Sequence, residues 1–172
     1  MSSNVDRQQS SVKGLYTPDE RARRDSSPWT LVQGVLAPVQ FLVFLISLFL
    51  VIRYLTTGLS EQAAIISVVV KTLFLYLIMV TGCIWEKVVF GKYLFAHAFF
   101  WEDVFSMLVL ALHTAYLFAW GYNLLSGTSL MFLALAAYAA YLINAVQFIV
   151  KLRAARLQAS NTPLNPQIDG VL

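Results

Sequence analysis

Cysteine and charged residues are both scarce in this chain of 172 residues, and each shortage excludes a class of protein. Charged residues make up 12% of the sequence, against 59% hydrophobic residues and a mean hydropathy of +0.69, a composition unlike that of a soluble protein of this length. The single cysteine, Cys83, cannot form an internal disulfide bond, and one thiol is too little for a metal site. The composition indicates a protein whose solvent is the lipid bilayer.

The N-terminal region also lacks the pattern of a cleaved signal peptide. Such a peptide has a short basic start, a short apolar core and small residues at the cleavage site. Here a long polar stretch, residues 1–28, precedes an apolar run long enough to cross a membrane. We therefore expect the first apolar segment to be retained as a membrane span.

Four apolar segments are long enough to be membrane-spanning helices, since about 20 residues cross about 30 Å of hydrocarbon. They lie at about residues 30–54, 63–85, 103–122 and 130–150. Backbone groups in lipid must be paired, and no alternating strand pattern is present, so all four should be helical. We predict an all-α integral membrane protein, a four-helix up-down-up-down bundle over residues 29–156. The tails at 1–28 and 157–172 should be mobile, although residues 19–25 could form a short interfacial helix.

Basic residues are unevenly distributed across this predicted topology. Ten of the twelve lysines and arginines lie in the N-terminal tail, in the loop between the second and third spans, or just after the fourth span. The positive-inside rule then places both termini in the cytoplasm. These residues flank the spans rather than forming one basic stripe, so no nucleic-acid partner is expected. Of the two exceptions, Arg53 ends the first span and Lys71 lies within the second, where we expect its stem to snorkel to the outer surface.

The densest group of reactive side chains joins the second span to the third. Residues 83–103 contain three carboxylates, two lysines, one histidine and seven aromatic residues. Tryptophan and tyrosine favour the headgroup region, and acidic residues favour helix N-termini, so an interfacial belt would explain this composition. A functional site at the cytoplasmic surface is the alternative.

One face of the third span connects this segment with the middle of the membrane. Helical spacing places Glu102, Ser106, Val109, His113 and Tyr116 along that face. His113 lies about 16 Å deeper than Glu102, where an ionisable side chain is costly and usually points into the bundle. It could ligate a metal, transfer a proton or hydrogen-bond across helices.

The second span has a corresponding polar face. Its residues are Thr72, Tyr76, Met79, Cys83 and Glu86. Glu86 and Glu102 are therefore expected to converge at the cytoplasmic end of the bundle. Paired carboxyl groups beside apolar surface can hold different protonation states, one acting as acid and the other as base. Ion pairing with Lys87 or Lys92 is the alternative.

Amide and hydroxyl side chains recur along the first and fourth spans. They are Gln33, Gln40, Ser47 and Tyr54 in the first, and Tyr141, Asn144, Gln147 and Lys151 in the fourth. We interpret them as stripes of interhelical hydrogen bonds. The alternative is that they line a cavity for a large ligand with polar edges.

Several extended stretches of the sequence are similar to segments of a known enzyme family. They are Leu15–Arg21 (LYTPDER), Ser27–Pro38 (SPWTLVQGVLAP), Ile84–Gly91 (IWEKVVFG) and Phe99–Tyr116 (FFWEDVFSMLVLALHTAY). From about Leu15 to Gln158, including the closing Lys151–Arg156 (KLRAAR), the chain resembles the 3-vinyl bacteriochlorophyllide hydratase family.

The resemblance implies a lyase of bacteriochlorophyll synthesis that adds water to the 3-vinyl group of chlorophyllide a or a related chlorophyllide. The product carries a 1-hydroxyethyl group. The enzyme would be a multi-pass protein of the bacterial inner membrane, either cytoplasmic or intracytoplasmic. Its partners would be the chlorophyllide, water and lipid, and it could contact other enzymes of the same synthesis. Hydration needs an acid and a base but no cofactor.

We assign site roles under this resemblance as predictions. Glu102 would protonate the vinyl group, and Glu86 or Asp103 would direct the water. His113 would bind the substrate magnesium or hydrogen-bond a ring carbonyl. The other residues predicted to bind the macrocycle or its propionate are Trp85, Trp101, Lys87, Lys92, Tyr116, Gln40 and Asn144.

Two functions of other classes are the alternatives. The chain could be a pigment-binding or assembly protein that holds a chlorophyll through His113 without changing it. A haem-based electron carrier would need a second histidine inside the membrane, and His97 lies in the predicted loop.

Overall fold

The computed structural model describes residues 15–160 of the chain. Its helices are α1 (Pro18–Ser26), α2 (Pro28–Thr57), α3 (Glu61–Phe90), α4 (Phe100–Gly121) and α5 (Gly127–Ser160). The helices α2 to α5 are long and apolar enough to cross a membrane, α5 over Gly127–Ala154. The predicted all-helical class and the four spans are confirmed.

Each spanning helix begins or ends outside the apolar segment that predicted it. An apolar run ends with the hydrocarbon, whereas backbone hydrogen bonding continues into the headgroup region, so α3 extends past residue 85 and α5 past residue 150. Gly58 and Gly91 end α2 and α3 in left-handed conformations, with φ of 70° and 79°. The second of these turns carries the chain into the loop that precedes α4.

Interhelical hydrogen bonds and aromatic contacts hold the spanning helices together, as expected where lipid supplies no hydrophobic driving force. The Gln33 amide donates to the hydroxyl of Thr81 at 2.7 Å, and the Ser47 hydroxyl lies 2.5 Å from that of Tyr138. The ring of Phe44 packs against that of Tyr138, with centroids 5.3 Å apart. These contacts join α2 to α3 and α5, which confirms interhelical bonding for part of the predicted polar stripe.

The helix α1 lies against the end of α3. Thr17 and Glu20 form a capping box at its start, through hydrogen bonds of 2.8 and 3.3 Å. Tyr16 is 8% exposed, stacks on Phe90 with centroids 5.7 Å apart, and lies under the Arg24 guanidinium. Burial raises the pKa of the Tyr16 hydroxyl. The short helix expected near residues 19–25 is therefore present and docked.

The predicted tails are only partly within the described residues. Residues 1–14 and 161–172 lie outside them, and the domain boundaries at 28 and 156 stay predictions.

Candidate active site

Two buried carboxyl groups meet where α3 ends and α4 begins. Glu86, in the penultimate turn of α3, is 6% exposed, and Asp103, in the first turn of α4, is 4% exposed. Their carboxyl groups lie within interaction range of each other. Two buried carboxyl groups in contact are favourable only when they share one proton, because two ionised carboxylates repel each other and can only accept hydrogen bonds. The pair therefore places a proton donor beside a proton acceptor.

The loop between α3 and α4, residues 91–99, supplies backbone donors to both carboxyl groups. The Phe95 N–H donates to Oδ2 of Asp103 at 2.7 Å, and the Ala96 N–H donates to Oε2 of Glu86 at 3.4 Å. Phe95 adopts a left-handed conformation with φ of 58°, which is unfavourable for a bulky side chain. Strained backbone of this kind tends to occur at functional sites.

Glu102 does not join this pair but binds α5. Its Oε2 lies 2.6 Å from Nζ of Lys151, and that amine also lies 5.2 Å from the ring centroid of Phe99. Successive helical residues point about 100° apart, so Asp103 faces α3 while Glu102 faces α5. The predicted meeting of Glu86 with Glu102 is thus replaced by Glu86 with Asp103. The lysine paired with Glu102 is Lys151 and not one of the two predicted in the loop.

A polar layer lies one helical turn deeper. The Asn144 amide of α5 donates to the hydroxyl of Ser106 on α4 at 2.8 Å. Among the described residues, the side-chain amide oxygens of Gln40, Asn144 and Gln147 are buried without a hydrogen-bond partner. At this level, the polar side chains of α2 and α5 therefore do not satisfy all of one another's hydrogen-bonding groups.

A second polar cluster is enclosed in the middle of the bundle. Nζ of Lys71 lies 2.8 Å from Nε2 of His113 and 4.0 Å from the ring centroid of Tyr141. Neither Lys71 nor His113 has exposed surface. The prediction that Lys71 snorkels outward is wrong, because its amine finds an acceptor and an aromatic face inside the protein. Sequence reasoning missed this contact, although an isolated lysine and an isolated histidine in neighbouring apolar spans are a signal for it.

His113 is engaged at both ring nitrogens. Its Nδ1 lies 2.8 Å from the Val109 carbonyl, which can only accept, so Nδ1 donates and Nε2 of the neutral ring accepts from Lys71. Ligation of a substrate magnesium would require one of these bonds to break. Tyr116, one turn deeper on the same face, is fully buried as well, and its hydroxyl has no partner within the described part of the chain.

The remaining predicted contact residues lie apart from one another. Trp85 is half-buried, and its indole N–H donates to the Thr30 hydroxyl at 2.9 Å. Trp101 is 66% exposed on the outside of α4. Lys87 and Lys92 are exposed near the loop, and the former donates to a loop carbonyl at 2.9 Å. The two tryptophans therefore do not form the two walls of a single enclosed slot.

Aromatic rings cover the outside of the protein next to the carboxyl pair. This aromatic surface consists of Tyr93, Phe95, Phe100 and Trp101, all of which are exposed. Phe100 contacts both Phe95 and Trp101, with centroids 5.7 and 5.6 Å apart. Two pockets, of about 310 and 230 Å³, lie elsewhere, beside Trp120 and Val43.

Four helices able to span a membrane, with two carboxyl groups buried together at one end, are the architecture of a small integral membrane protein with a polar site. Comparison with known proteins gives the particular family. Residues 16–154 match the family described as 2-vinyl bacteriochlorophyllide hydratase. The chain belongs to this family and is a hydro-lyase of bacteriochlorophyll synthesis. The family name numbers as 2 the vinyl group called 3-vinyl above, so the resemblance is confirmed.

Two relatives show how far the similarity extends. The 2-vinyl bacteriochlorophyllide hydratase of Rhodobacter capsulatus is 64% identical over 157 residues, which cover 90% of each chain. The enzyme of the same name from Cereibacter sphaeroides is 65% identical over 143 residues, covering 83% of this chain and 89% of that protein. No solved structure matches the chain.

Proposed function

We propose that this chain hydrates the vinyl group of chlorophyllide a or a related bacteriochlorophyllide, with Glu86 as the acid and Asp103 as the base. The observation that carries the proposal is the pair of buried carboxyl groups, both held by backbone donors of one loop, at the end of the bundle that bears the aromatic surface. Glu102, predicted as the acid from sequence, is instead in an ion pair with Lys151 of α5 and does not join the carboxyl pair. We therefore move the acid role to Glu86.

The loop donors distinguish the two members of the pair. Asp103 receives a backbone hydrogen bond of 2.7 Å, whereas the bond to Glu86 is 3.4 Å long. A carboxylate gains more from a short, well-placed donor than a neutral carboxylic acid does. The Lys151 amine attracts a negative charge on Asp103, but the Glu102 carboxylate that it binds repels one, so the loop donors make the distinction. The shared proton accordingly rests on Glu86.

The reaction then needs two proton transfers and no electron carrier. Glu86 gives its proton to the terminal vinyl carbon, and the π electrons form the new C–H bond. The positive charge left on the internal carbon is delocalised over the macrocycle. A water molecule attacks that carbon through oxygen and loses one proton to Asp103. Transfer of that proton from Asp103 to Glu86 restores the starting state.

The aromatic surface would bind one face of the macrocycle. Phe95 and Ala96 cover the carboxyl pair, so the loop has to shift before a vinyl group can reach it. The propionate would lie near Lys87 and Lys92, which are exposed at the same end. His113 has no free ring nitrogen, so we assign it to helix packing. The same geometry gives no support to a pigment carrier that holds chlorophyll through this residue.

We further propose that both termini face the cytoplasm and that the membrane is the bacterial inner membrane. The distribution of ten of the twelve basic residues supports this orientation. Contact with other enzymes of the pathway stays a prediction. Reporter domains fused to either terminus should be active in the cytoplasm and inactive outside it, and the opposite pattern would reverse the topology.

Glu86→Gln tests the proposed acid, because glutamine keeps the size and the acceptor but cannot give up a proton. We expect turnover of vinyl chlorophyllide by isolated membranes to fall by about 100-fold or more. Glu61→Gln, the same change at the opposite end of α3, is the matched control and should leave turnover unchanged. Full turnover by Glu86→Gln with normal substrate binding would remove Glu86 from the mechanism.

A further inference from the structure

Three buried side-chain amide oxygens have no hydrogen-bond partner within the described residues. They belong to Gln40 of α2 and to Asn144 and Gln147 of α5. A buried acceptor that is left unpaired costs free energy, so such groups usually bind ordered water or a ligand. Gln40 is 2% exposed and Asn144 is 9% exposed, so bulk solvent does not satisfy them.

Gln40 and Asn144 lie at one level of the bundle, and Gln147 lies about one turn nearer the end that carries the carboxyl pair. The rings of Phe44 and Tyr141 are 5.0 Å apart, which fixes the register of α2 against α5. The two helices run antiparallel, so Gln40, one turn before Phe44, and Asn144, one turn after Tyr141, are displaced in the same direction. Gln147 follows on the same helix. The displacement is towards the end that carries the carboxyl pair.

This level adjoins the carboxyl pair. The Asn144 amide donates to Ser106, and Ser106 lies three residues after Asp103 on α4. Residues at that spacing are neighbours on a helix surface, about 5–6 Å apart. Asn144 is thus about one helical turn deeper in the bundle than the proposed base.

The chemistry of the unpaired groups identifies the ligand class. All three are acceptors and need donors. The vinyl group of the substrate has neither donor nor acceptor, whereas water has two O–H donors and the product gains one hydroxyl. Water is also the one co-substrate that has to be held inside a largely apolar bundle. A polar site with several convergent partners is where buried water is found.

We propose that Gln40, Asn144 and Gln147, together with Ser106, bind the water molecule that is added to the vinyl group. The proposal rests on the proposed function, because Asp103 would take the proton from this water. The water approaches from the bundle interior while the macrocycle lies outside, so oxygen adds to a single face of the vinyl plane. The new carbinol carbon is then formed with one handedness.

Radiolytic hydroxyl labelling of the protein in membranes tests for the water itself. Radicals formed from bound water mark adjacent side chains, whereas dry buried side chains stay unmarked. Phe44 and Tyr141 should be labelled although they are almost fully buried. Met131, a readily oxidised residue of the apolar core, should stay unlabelled. Absence of label at both aromatic residues would overturn the water site whatever the enzymatic activity.

Asn144→Leu tests whether this water is the one that reacts. It should lower labelling at Tyr141, reduce kcat by about ten-fold or more with little change in KM, and yield a mixture of the two epimers at the carbinol carbon. Thr114→Val removes a partly buried hydroxyl, bonded to Tyr76, from another helix contact and should leave all three readouts unchanged. Wild-type kcat and unchanged handedness in Asn144→Leu would overturn the proposal.

The two proposals fail in different ways. If the acid–base assignment is wrong, Glu86→Gln retains full turnover and the labelling pattern is unchanged. If the water site is wrong, Phe44 and Tyr141 are not labelled, or Asn144→Leu gives a product of unaltered handedness, while Glu86→Gln is still inactive.

Discussion

The chain buries ionisable side chains in two regions, and they differ in almost every respect that matters for chemistry. The carboxyl pair of Glu86 and Asp103 lies at the end of the bundle, bound by backbone donors of a loop and bordered by exposed aromatic rings. Lys71 and His113 lie in the middle, fully enclosed by side chains of α3, α4 and α5. The first region can be uncovered by moving one loop, whereas the second cannot be reached without separating helices.

Under the proposed function, this difference separates the reactive site from a structural one. An ionisable residue inside a membrane is a candidate functional residue by default. His113 meets that criterion from sequence, yet its two ring nitrogens are both used within the protein. Asp103 attracts less attention, because an acidic residue in the first turn of a helix is common. Access and shared protons, rather than depth, mark the reactive pair.

The largest expected effect comes from the carboxyl pair. Asp103→Asn keeps an oxygen that can accept from the Phe95 N–H but cannot take a proton from water. Hydration should fall by about 100-fold or more, with little change in stability. Asp19→Asn, an exposed acidic position in α1, is the matched control. If product analysis shows equal rates for both variants, the pair is not the reactive region.

The enclosed pair should respond in the opposite way. His113→Leu leaves the Lys71 amine buried without its acceptor, which should cost about 1–3 kcal/mol of stability towards unfolding in detergent mixtures. Activity per folded molecule should be retained. A large loss of kcat in fully folded protein would give His113 a direct role and erase the contrast between the regions.

The double variant Lys71→Met/His113→Leu tests whether the enclosed pair has only a structural role. It replaces both partners with apolar side chains, so it should be more stable than His113→Leu alone. Additive destabilisation by the two changes would show that the two side chains are not energetically coupled.

Hydropathy was enough to predict the four spans, because membrane thickness sets their length. Helical spacing correctly placed Glu102, Ser106, Val109, His113 and Tyr116 on the buried face of α4. Spacing could not identify partners across helices, since Glu102 and Asp103 are adjacent in sequence and only the rotation of α4 decides which one meets Glu86. The prediction paired Glu86 with Glu102, whereas the adjacent Asp103 meets Glu86 and Glu102 forms the ion pair with Lys151.

Contacts that depend on side-chain reach were also beyond the sequence. Lys71 lay where snorkelling is usual, and only the position of α4 shows that His113 is closer than the membrane surface. The left-handed backbone of Phe95 has no sequence signal either, because no glycine or asparagine marks it. Tertiary contacts stabilise that conformation against the local preference.

Substitutions at Phe95 are expected to have the smallest effect on the reaction, and they distinguish substrate binding from catalysis at the proposed site. Asparagine tolerates the left-handed conformation better than phenylalanine, so Phe95→Asn should keep the backbone donor to Asp103 while removing one ring of the aromatic surface. We expect KM for the chlorophyllide to rise several-fold with kcat nearly unchanged, because binding is weakened and the acid–base pair is not. Phe95→Val retains an apolar side chain but disfavours the left-handed backbone, and it should lower kcat instead. Steady-state kinetics of the two variants would therefore separate the contribution of the ring to substrate binding from the contribution of the loop to catalysis. If kcat fell for Phe95→Asn and not for Phe95→Val, the ring and not the backbone conformation would be what catalysis requires.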